Sequence, residues 1–200
     1  LPISNIIGQV YRRGTLAWWQ AWRPQQRAPD NCPPNPDPPG PMNLLAFDTS
    51  TDTVSIAVQA GDAVWQHTGP GGSQASATLI PAIRSLLAQA GMSFSTLDAI
   101  VFGRGPGSFT GLRTACAVAQ GLAFGARGGA GVPVLPVDTL LAVAEEARHQ
   151  HGCTQVVAVL DARMDEVYVA HCEWLPAQGG TAGHWRTDGD FGLCAPEAVQ

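Results

Sequence analysis

Two segments of the chain, 113 residues apart, carry the same pattern of apolar and acidic residues. Residues 44–57 read LLAFDTSTDTVSIA and residues 157–170 read VAVLDARMDEVYVA, so that Asp48 matches Asp161. Each segment predicts a buried strand, a tight acidic turn and a returning strand. A repeat at this separation is too long for a solenoid and favours a duplicated α/β lobe, although unrelated β-hairpins with acidic turns can look alike.

Helical and strand patterns alternate between these two hairpins. Apolar periodicity and Gly stop signals predict the elements in this order: helix 74–90, strand 99–102, helix 110–125, strand 132–137 and helix 138–150, the last capped by Asp138. We therefore expect an α/β fold with one complete lobe over 42–154. A second lobe starts at 155 and is expected to be incomplete at 200.

The first 41 residues differ in composition from the rest. Residues 29–41 hold seven prolines, which predicts an extended linker rather than helix or sheet. Residues 1–41 are expected to be an upstream proline-rich leader outside the fold. The alternative is a membrane-surface or partner-binding arm built on Arg12, Arg13 and the cluster of Trp18, Trp19 and Trp22.

Composition excludes several mechanisms. All eleven cations are Arg, so no lysine is present to act as a Walker A phosphate ligand, Schiff base or general base. Residues 42–200 contain seven Arg against fourteen Asp and Glu, a net charge of −7, which argues against binding nucleic acid by charge alone. Five scattered Cys without a CxxC indicate a reducing compartment, hence the cytoplasm, and no apolar run is long enough for a membrane span.

A glycine-rich turn, GRGPGSFTGLR at 103–113, lies between a predicted strand and a predicted helix. Amides at such a helix start can hold an anion, but the sequence is neither GxGxxG nor GxxxxGK[ST]. A sharp turn followed by an N-cap, supplied by Ser108 or Thr110, is the favoured interpretation. The residues of this predicted turn site are Gly105, Pro106, Gly107, Ser108, Thr110, Gly111 and Arg113.

Small residues recur along the helix that follows the turn. One row consists of Gly111, Ala115, Ala119 and Ala123, and a second consists of Ala117, Gly121 and Gly125. Such rows allow another element to approach closely, inside the lobe or across a subunit boundary. One row is explained most simply by packing within the lobe, and two rows on one helix favour two partners.

The sequence contains few residues whose spacing suits catalysis. His149 and His151 are two positions apart near a helix end and do not face one metal ion. The carboxylates that could act as acid or base groups are Asp48, Asp52, Asp138, Asp161 and Asp165. Asp48 and Asp161 could hold the magnesium of a nucleotide, or each could simply bond the backbone of its own turn. We assign no catalytic residue and no metal ligand.

The segments LLAFDTST, GRGPGSFTGLR with its small-residue helix, and VLDARMDEVY resemble, in this order, the TsaB (YeaZ) family. The resemblance runs from Met42 to about Gln200. It implies the duplicated actin-like, Hsp70-like and sugar-kinase-like (ASKHA, ribonuclease H-like) fold. It also implies phosphate-loop-like positions at Asp48, Thr49, Ser50, Asp161 and Arg163. Members lack the His-x3-His metal pair of the catalytic TsaD subunit, and no His lies between His67 and His149 here.

The family role implied is that of a non-catalytic subunit. Such a subunit pairs with a TsaD-like catalytic subunit and a TsaE-like ATPase, and supports transfer of a threonylcarbamoyl group to the adenosine beside the anticodon of tRNA. The resemblance implies ATP or ADP only at the level of the complex, a homodimer when the subunit is alone, and no membrane. Carried onto this chain, the pairing surface falls on two helices, at Leu79, Ile83, Leu86, Gly111, Ala115, Ala119 and Ala123.

Two other classes of function compete with this expectation. The paired turns at Asp48, Thr49, Ser50 and Asp161 suggest an ATP-dependent phosphotransferase of the actin-like fold. A metallopeptidase is the weakest alternative, because the chain lacks the metal pair. Three departures from the family pattern stand out: residues 1–41 precede the usual start, GGSQASAT replaces a His-containing segment before the first helix, and the second lobe is short.

Overall fold

The first lobe is built on a mixed five-stranded sheet. In the computed structural model, which describes residues 42–178 and 182–199, its strands are β1 (Asn43–Asp48), β2 (Thr53–Ala60), β3 (Ala63–Pro70), β4 (Ala99–Gly105) and β5 (Val134–Asp138). The order is β3-β2-β1-β4-β5, with β1, β2 and β3 antiparallel and β1, β4 and β5 parallel. The predicted leader lies outside the described residues.

Two helices cover one face of this sheet. Helix α1 (Ala75–Gln89) and helix α2 (Phe109–Gly125) place their buried side chains in one apolar cluster with strand residues such as Phe47 and Ile56. Because β1 is central and apolar from Leu44 to Phe47, it contributes to this cluster on one face of the sheet and to a second cluster on the other. The core of the first lobe therefore lies on both faces of β1.

Helix α3 (Thr139–His151) lies between the two sheets. Its Ala142 packs on the opposite face of the first sheet, while Leu140 and Ala144 share a buried cluster with Ala158 and Ala170 of the second sheet. These side chains point to different sides of one helix, because their spacing follows the helical period. A single helix thus joins the two halves of the molecule.

The second sheet repeats the opening of the first. Strands β6 (Gln155–Arg163) and β7 (Glu166–Leu175) form an antiparallel hairpin, and β8 (His184–Thr187) and β9 (Gly192–Cys194) both pair with the other edge of β7. The hairpin β6–β7 corresponds to β1–β2, as the sequence repeat predicts. None of the described helices is long and apolar enough to cross a membrane.

The predicted order of strands and helices is confirmed from Asn43 to β7, and the main differences lie at element ends. Strand β4 continues to Gly105, three residues beyond the predicted end. Asp138 occupies the N-cap position of α3, but its side chain makes no capping hydrogen bond. Instead Arg104 Nε and Nη2 donate to the two carboxylate oxygens of Asp138 at 2.6 and 2.8 Å, so the expected capping role is wrong. A guanidinium that binds both oxygens competes successfully with a single amide.

Candidate functional site

The first turn, residues 48–53, joins β1 to β2 and is buried over its first three residues. Asp48 is 5% exposed, and its Oδ1 accepts hydrogen bonds from the backbone N–H of Ser50 at 2.9 Å and from the Ser50 hydroxyl at 2.6 Å. Asp48 therefore closes its own turn, which is the simpler of the two roles open to it from the sequence. Thr49 and Ser50 are also almost fully buried.

The glycine-rich turn covers the first turn. The Thr49 hydroxyl donates to the carbonyl of Gly111 at 2.7 Å, and the N–H of Ser108 donates to the carbonyl of Ser50 at 2.7 Å. A Cβ atom at residue 111 would lie 1.8 Å from the Thr49 carbonyl oxygen, and one at residue 107 would lie 2.5 Å from that of Ser50. Glycine is required at both positions because two backbone segments meet there without space for a side chain.

Polar groups at the start of α2 form hydrogen bonds to other groups of the protein. Ser108 is the N-cap, and its hydroxyl accepts from the N–H of Gly111 at 3.5 Å. Thr110 lies within the first turn of α2 and is not the cap. Since the N–H groups of Ser50, Ser108 and Gly111 all have partners inside the protein, they are not free to hold a phosphate in this state. The turn and cap interpretation accounts for the geometry of Gly105 to Gly111.

The second turn, residues 161–166, is exposed and approaches the first. Asp161 Oδ1 accepts from the N–H of Arg163 at 2.7 Å, the same bond that Asp48 makes in the first turn. Arg163 Nη2 lies 3.1 Å from Asp52 Oδ1, and the exposed fractions of these two side chains are 67% and 75%. The structure thus joins the two turns by one ion pair at the surface, between Arg163 and Asp52.

The second turn has an unusual backbone. Arg163, Met164 and Asp165 have φ values of 68°, 56° and 59°, and none of them is glycine. Left-handed φ at two central residues suits the right-handed twist of a two-residue hairpin but normally selects Asn and Gly. Met164 is 93% exposed, so packing does not explain its conformation. Strained turns of this kind are concentrated at binding and switch regions.

The residues predicted for partner pairing are buried inside the first lobe. Their exposed fractions are between 0 and 8% for Leu79, Ile83, Leu86, Ala115, Ala119 and Ala123, and Gly111 is also buried. They form the core between the two helices and the sheet, where small side chains let α2 lie close to β1 and β4. Their assignment to a pairing surface is therefore wrong, because a side chain without accessible area cannot contact another subunit.

The opposite side of the same two helices is open. The second row of small residues is exposed at Ala117 and Gly121, and a Cβ atom at Gly121 would meet nothing within 4 Å. We call the exposed side of these two helices the outer helical face; its apolar, cationic and small members include Ile80, Arg84, Phe109, Arg113, Ala117, Gly121 and Phe124. Phe109 and Phe124 are 67% and 81% exposed, unusual values for large apolar side chains.

A buried charged cluster was missed by reasoning from the sequence. The carboxylate of Glu145, on α3, accepts from Arg148 at 2.7 and 2.9 Å and from the indole N–H of Trp185 at 3.0 Å. The guanidinium of Arg148 lies 4.4 Å from the ring centroid of Trp174, and the hydrogen bonds to Glu145 raise the pKa of Arg148. The i, i+3 spacing of Glu145 and Arg148 was the available signal, but the Trp partners come from another sheet.

A shallow cavity of about 630 Å³ opens on the second sheet. Its lining includes His171, Glu173, Arg186 and Asp188, and it involves the start of β6 rather than the turn at its end. No three His, Cys, Asp or Glu side chains come together as metal ligands in the part of the chain that the structure describes. The cavity therefore shares no lining residue with the two turns or with the outer helical face.

The sheet order β3-β2-β1-β4-β5 and its repeated hairpin define an α/β protein of the actin-like class with a duplicated lobe. A family model described as "TsaD: tRNA N6-adenosine threonylcarbamoyltransferase" matches residues 68–182, more than half of the chain. The solved structure of YeaZ from Pseudomonas aeruginosa superposes with a TM-score of 0.68 at 40% identity, covering 80% of this chain and 70% of that one.

Curated relatives narrow the class to one family. The tRNA threonylcarbamoyladenosine biosynthesis protein TsaB of Haemophilus influenzae is 38% identical over 158 residues, 78% of this chain and 65% of that protein. TsaB of Escherichia coli K12 is 35% identical over 79% of this chain and 64% of that protein. The chain belongs to the TsaB (YeaZ) family. It spans slightly less than two thirds of the length of these two relatives.

Proposed function

We propose that this protein is a non-catalytic subunit of the complex that transfers a threonylcarbamoyl group to the adenosine beside the anticodon of tRNA. Its family supports this role, because the relatives carry the name of tRNA threonylcarbamoyladenosine biosynthesis. The observation that carries the proposal for this chain is the outer helical face, an exposed apolar surface on the two helices of the first lobe. In this role the protein contacts a TsaD-like subunit through that face.

The outer helical face has the composition of a pairing surface. Large exposed rings at Phe109 and Phe124 supply the kind of anchor that dominates the energy of an interface. Between them, Ala117 and Gly121 leave the backbone of α2 open to close approach by a partner helix. The pairing surface therefore lies on the two predicted helices, on the side opposite to the residues first assigned.

The remaining partners belong to the same proposal. A TsaE-like ATPase and tRNA are met through the complex, ATP or ADP acts at the level of the complex, and the complex works in the cytoplasm. A homodimer through the same face is the state proposed for the subunit alone. The subunit by itself is proposed to have neither transferase nor peptidase activity.

An ATP-dependent phosphotransferase is the second candidate. It is favoured by the approach of the two turns, where Arg163 of the second turn pairs with Asp52 of the first. Against it, the amides of Ser50 and Ser108 and the hydroxyls of Thr49 and Ser50 are used inside the fold. Steady nucleotide hydrolysis by the homogeneous protein alone, lost on Asp161→Asn, is the result that would favour this candidate.

Pairing can be tested with the TsaD-like subunit of the same organism. We expect the two proteins to co-purify, and Phe124→Ala to weaken binding at least tenfold, as expected for an aromatic anchor. Gly121→Leu should have a similar effect by blocking close approach. Val64→Ala, which shortens an exposed apolar side chain on β3, is the control and should leave binding unchanged. Equal binding by all three variants would place the pairing surface elsewhere.

A further inference from the structure

Charge is distributed unevenly over the first lobe. Helices α1 and α2 contain no Asp or Glu, whereas residues 42–200 carry a net charge of −7. The only charged side chains on these helices are Arg84 and Arg113, and both are exposed. The outer helical face is therefore apolar and cationic on an otherwise acidic protein.

These two arginines also differ from the others in their partners. Each of the other five arginines in the described part of the chain forms an ion pair with a carboxylate: Arg104 with Asp138, Arg127 with Asp98, Arg148 with Glu145, Arg163 with Asp52, and Arg186 with Glu173. Among the described residues, Arg84 and Arg113 form none. The guanidinium of Arg113 is held over the ring of Phe109, 3.8 Å from its centroid.

The positions of these cations fix where they act. Arg84 follows Ile80 by four residues on α1, and Arg113 follows Phe109 by four on α2, so each lies one helical turn from an exposed apolar side chain. A partner that covers Ile80 and Phe109 must also remove water from the two guanidinium groups. Desolvated charge that finds no counter-ion opposes association, so such a partner needs carboxylates at matching positions.

On the basis of the proposed pairing face, we infer that Arg84 and Arg113 select the partner by charge. The face fits an apolar helical surface that carries carboxylates opposite these two arginines. A second copy of this chain offers cations against cations, so self-pairing through the same face is disfavoured relative to pairing with the acidic partner. Attraction between opposite charges also speeds association and makes it depend on salt.

The experiment measures binding of the TsaD-like subunit by the full chain over a range of salt concentrations. The double variant Arg84→Glu with Arg113→Glu should bind about 100-fold more weakly, and added salt should no longer reduce its affinity. Arg186→Glu, which changes an exposed arginine of β8, is the matched control and should leave binding unchanged. Thermal unfolding verifies that each variant is folded. If the charge reversal unfolds the protein, the double variant Arg84→Ala with Arg113→Ala replaces it, and its affinity should be about tenfold lower than that of the parent.

Self-association provides a second measurement, in which the same charge reversal should strengthen binding rather than weaken it. In sedimentation, a mixture of the parent and the double Glu variant should dimerise more tightly than either protein alone, because one copy then presents carboxylates to the other.

The outcomes separate this inference from the proposed function. If Phe124→Ala weakens binding while the charge reversal changes neither affinity nor salt dependence, charge selection is wrong and the pairing face stands. If Phe124→Ala and the charge reversal are both without effect while the subunits still bind, the proposed face itself is wrong. A parent homodimer that is abolished by Phe124→Ala and is as tight as the mixed dimer would also overturn charge selection.

Discussion

The two hairpin turns share a sequence pattern but not an environment. In both, an Asp at the end of the first strand accepts a hydrogen bond from the N–H two residues on, Asp48 from Ser50 and Asp161 from Arg163. Yet Asp48 is 5% exposed, whereas the side chain of Asp161 is 69% exposed. The acidic residue therefore sets the local geometry of the turn, while neighbouring elements set its burial.

The cause of the difference is the glycine-rich turn. It packs on the first turn through Gly107 and Gly111 and satisfies the polar groups of Thr49 and Ser50. The second turn has no such cover among the described residues, and its contact with the first lobe is the ion pair between Arg163 and Asp52. The first turn is therefore part of the core from Asp48 to Ser50, and the second turn lies at the surface.

The largest effect is expected where the glycine-rich turn meets the first turn. Gly111→Val places a side chain 1.8 Å from the Thr49 carbonyl oxygen, and overpacking of this kind should lower the free energy of unfolding by about 3 kcal/mol. Gly121→Ala on the same helix is the control; it meets open space and should raise helix stability by up to about 1 kcal/mol. Urea denaturation measures both, and equal stabilities would mean that the start of α2 does not pack tightly against the first turn.

The second sheet contacts α3 through a different set of interactions, the buried cluster around Glu145. Glu145→Gln removes the charge that Arg148 and Trp185 bind, and should lower the free energy of unfolding by about 2 kcal/mol. It should also change the tryptophan fluorescence of the folded state. Glu166→Gln, at an exposed position at the start of β7, is the control. If both variants are as stable as the parent, the second sheet is held to α3 by apolar contacts alone.

Substitutions in the exposed second turn should be able to raise the free energy of unfolding, whereas the closely packed start of the first turn leaves no room for this. Replacing Met164 by Asn and Asp165 by Gly supplies residues suited to left-handed φ, and should raise the free energy of unfolding by about 1 kcal/mol. Met164→Leu retains the unfavourable conformation and should leave stability unchanged. A loss of stability in the Asn-Gly variant would show that Met164 or Asp165 makes a stabilising contact.

The smallest effect is expected at the ion pair between the turns. Arg163→Ala should change the free energy of unfolding by less than about 0.5 kcal/mol, because both partners are largely exposed to solvent. Any effect at low ionic strength should disappear at about 1 M salt, where charges are screened within a few ångströms. A large loss that survives high salt would show that the two turns are held together by more than this pair.

The sequence alone determined the features that depend on short-range order. The repeat around Asp48 and Asp161, the alternation of strands and helices, and a cap near Ser108 follow from periodicity and turn chemistry within a few residues. The row of small residues on α2 was also visible, since helical spacing places Ala115 and Ala119 on one side. Such patterns predict which residues share one face of a helix or strand, but not which element packs against that face.

Only the tertiary structure decided which partner each face meets. The small row turned inward because the Thr49 carbonyl and the sheet occupy the space beside it, which leaves Phe124 and Arg113 outside. The partner of Asp138 lies 34 positions earlier in the chain, and its guanidinium displaced the expected cap. Such contacts depend on strand register and on how helices pack, and these are set by the summed burial of many residues far apart in the chain rather than by any local pattern.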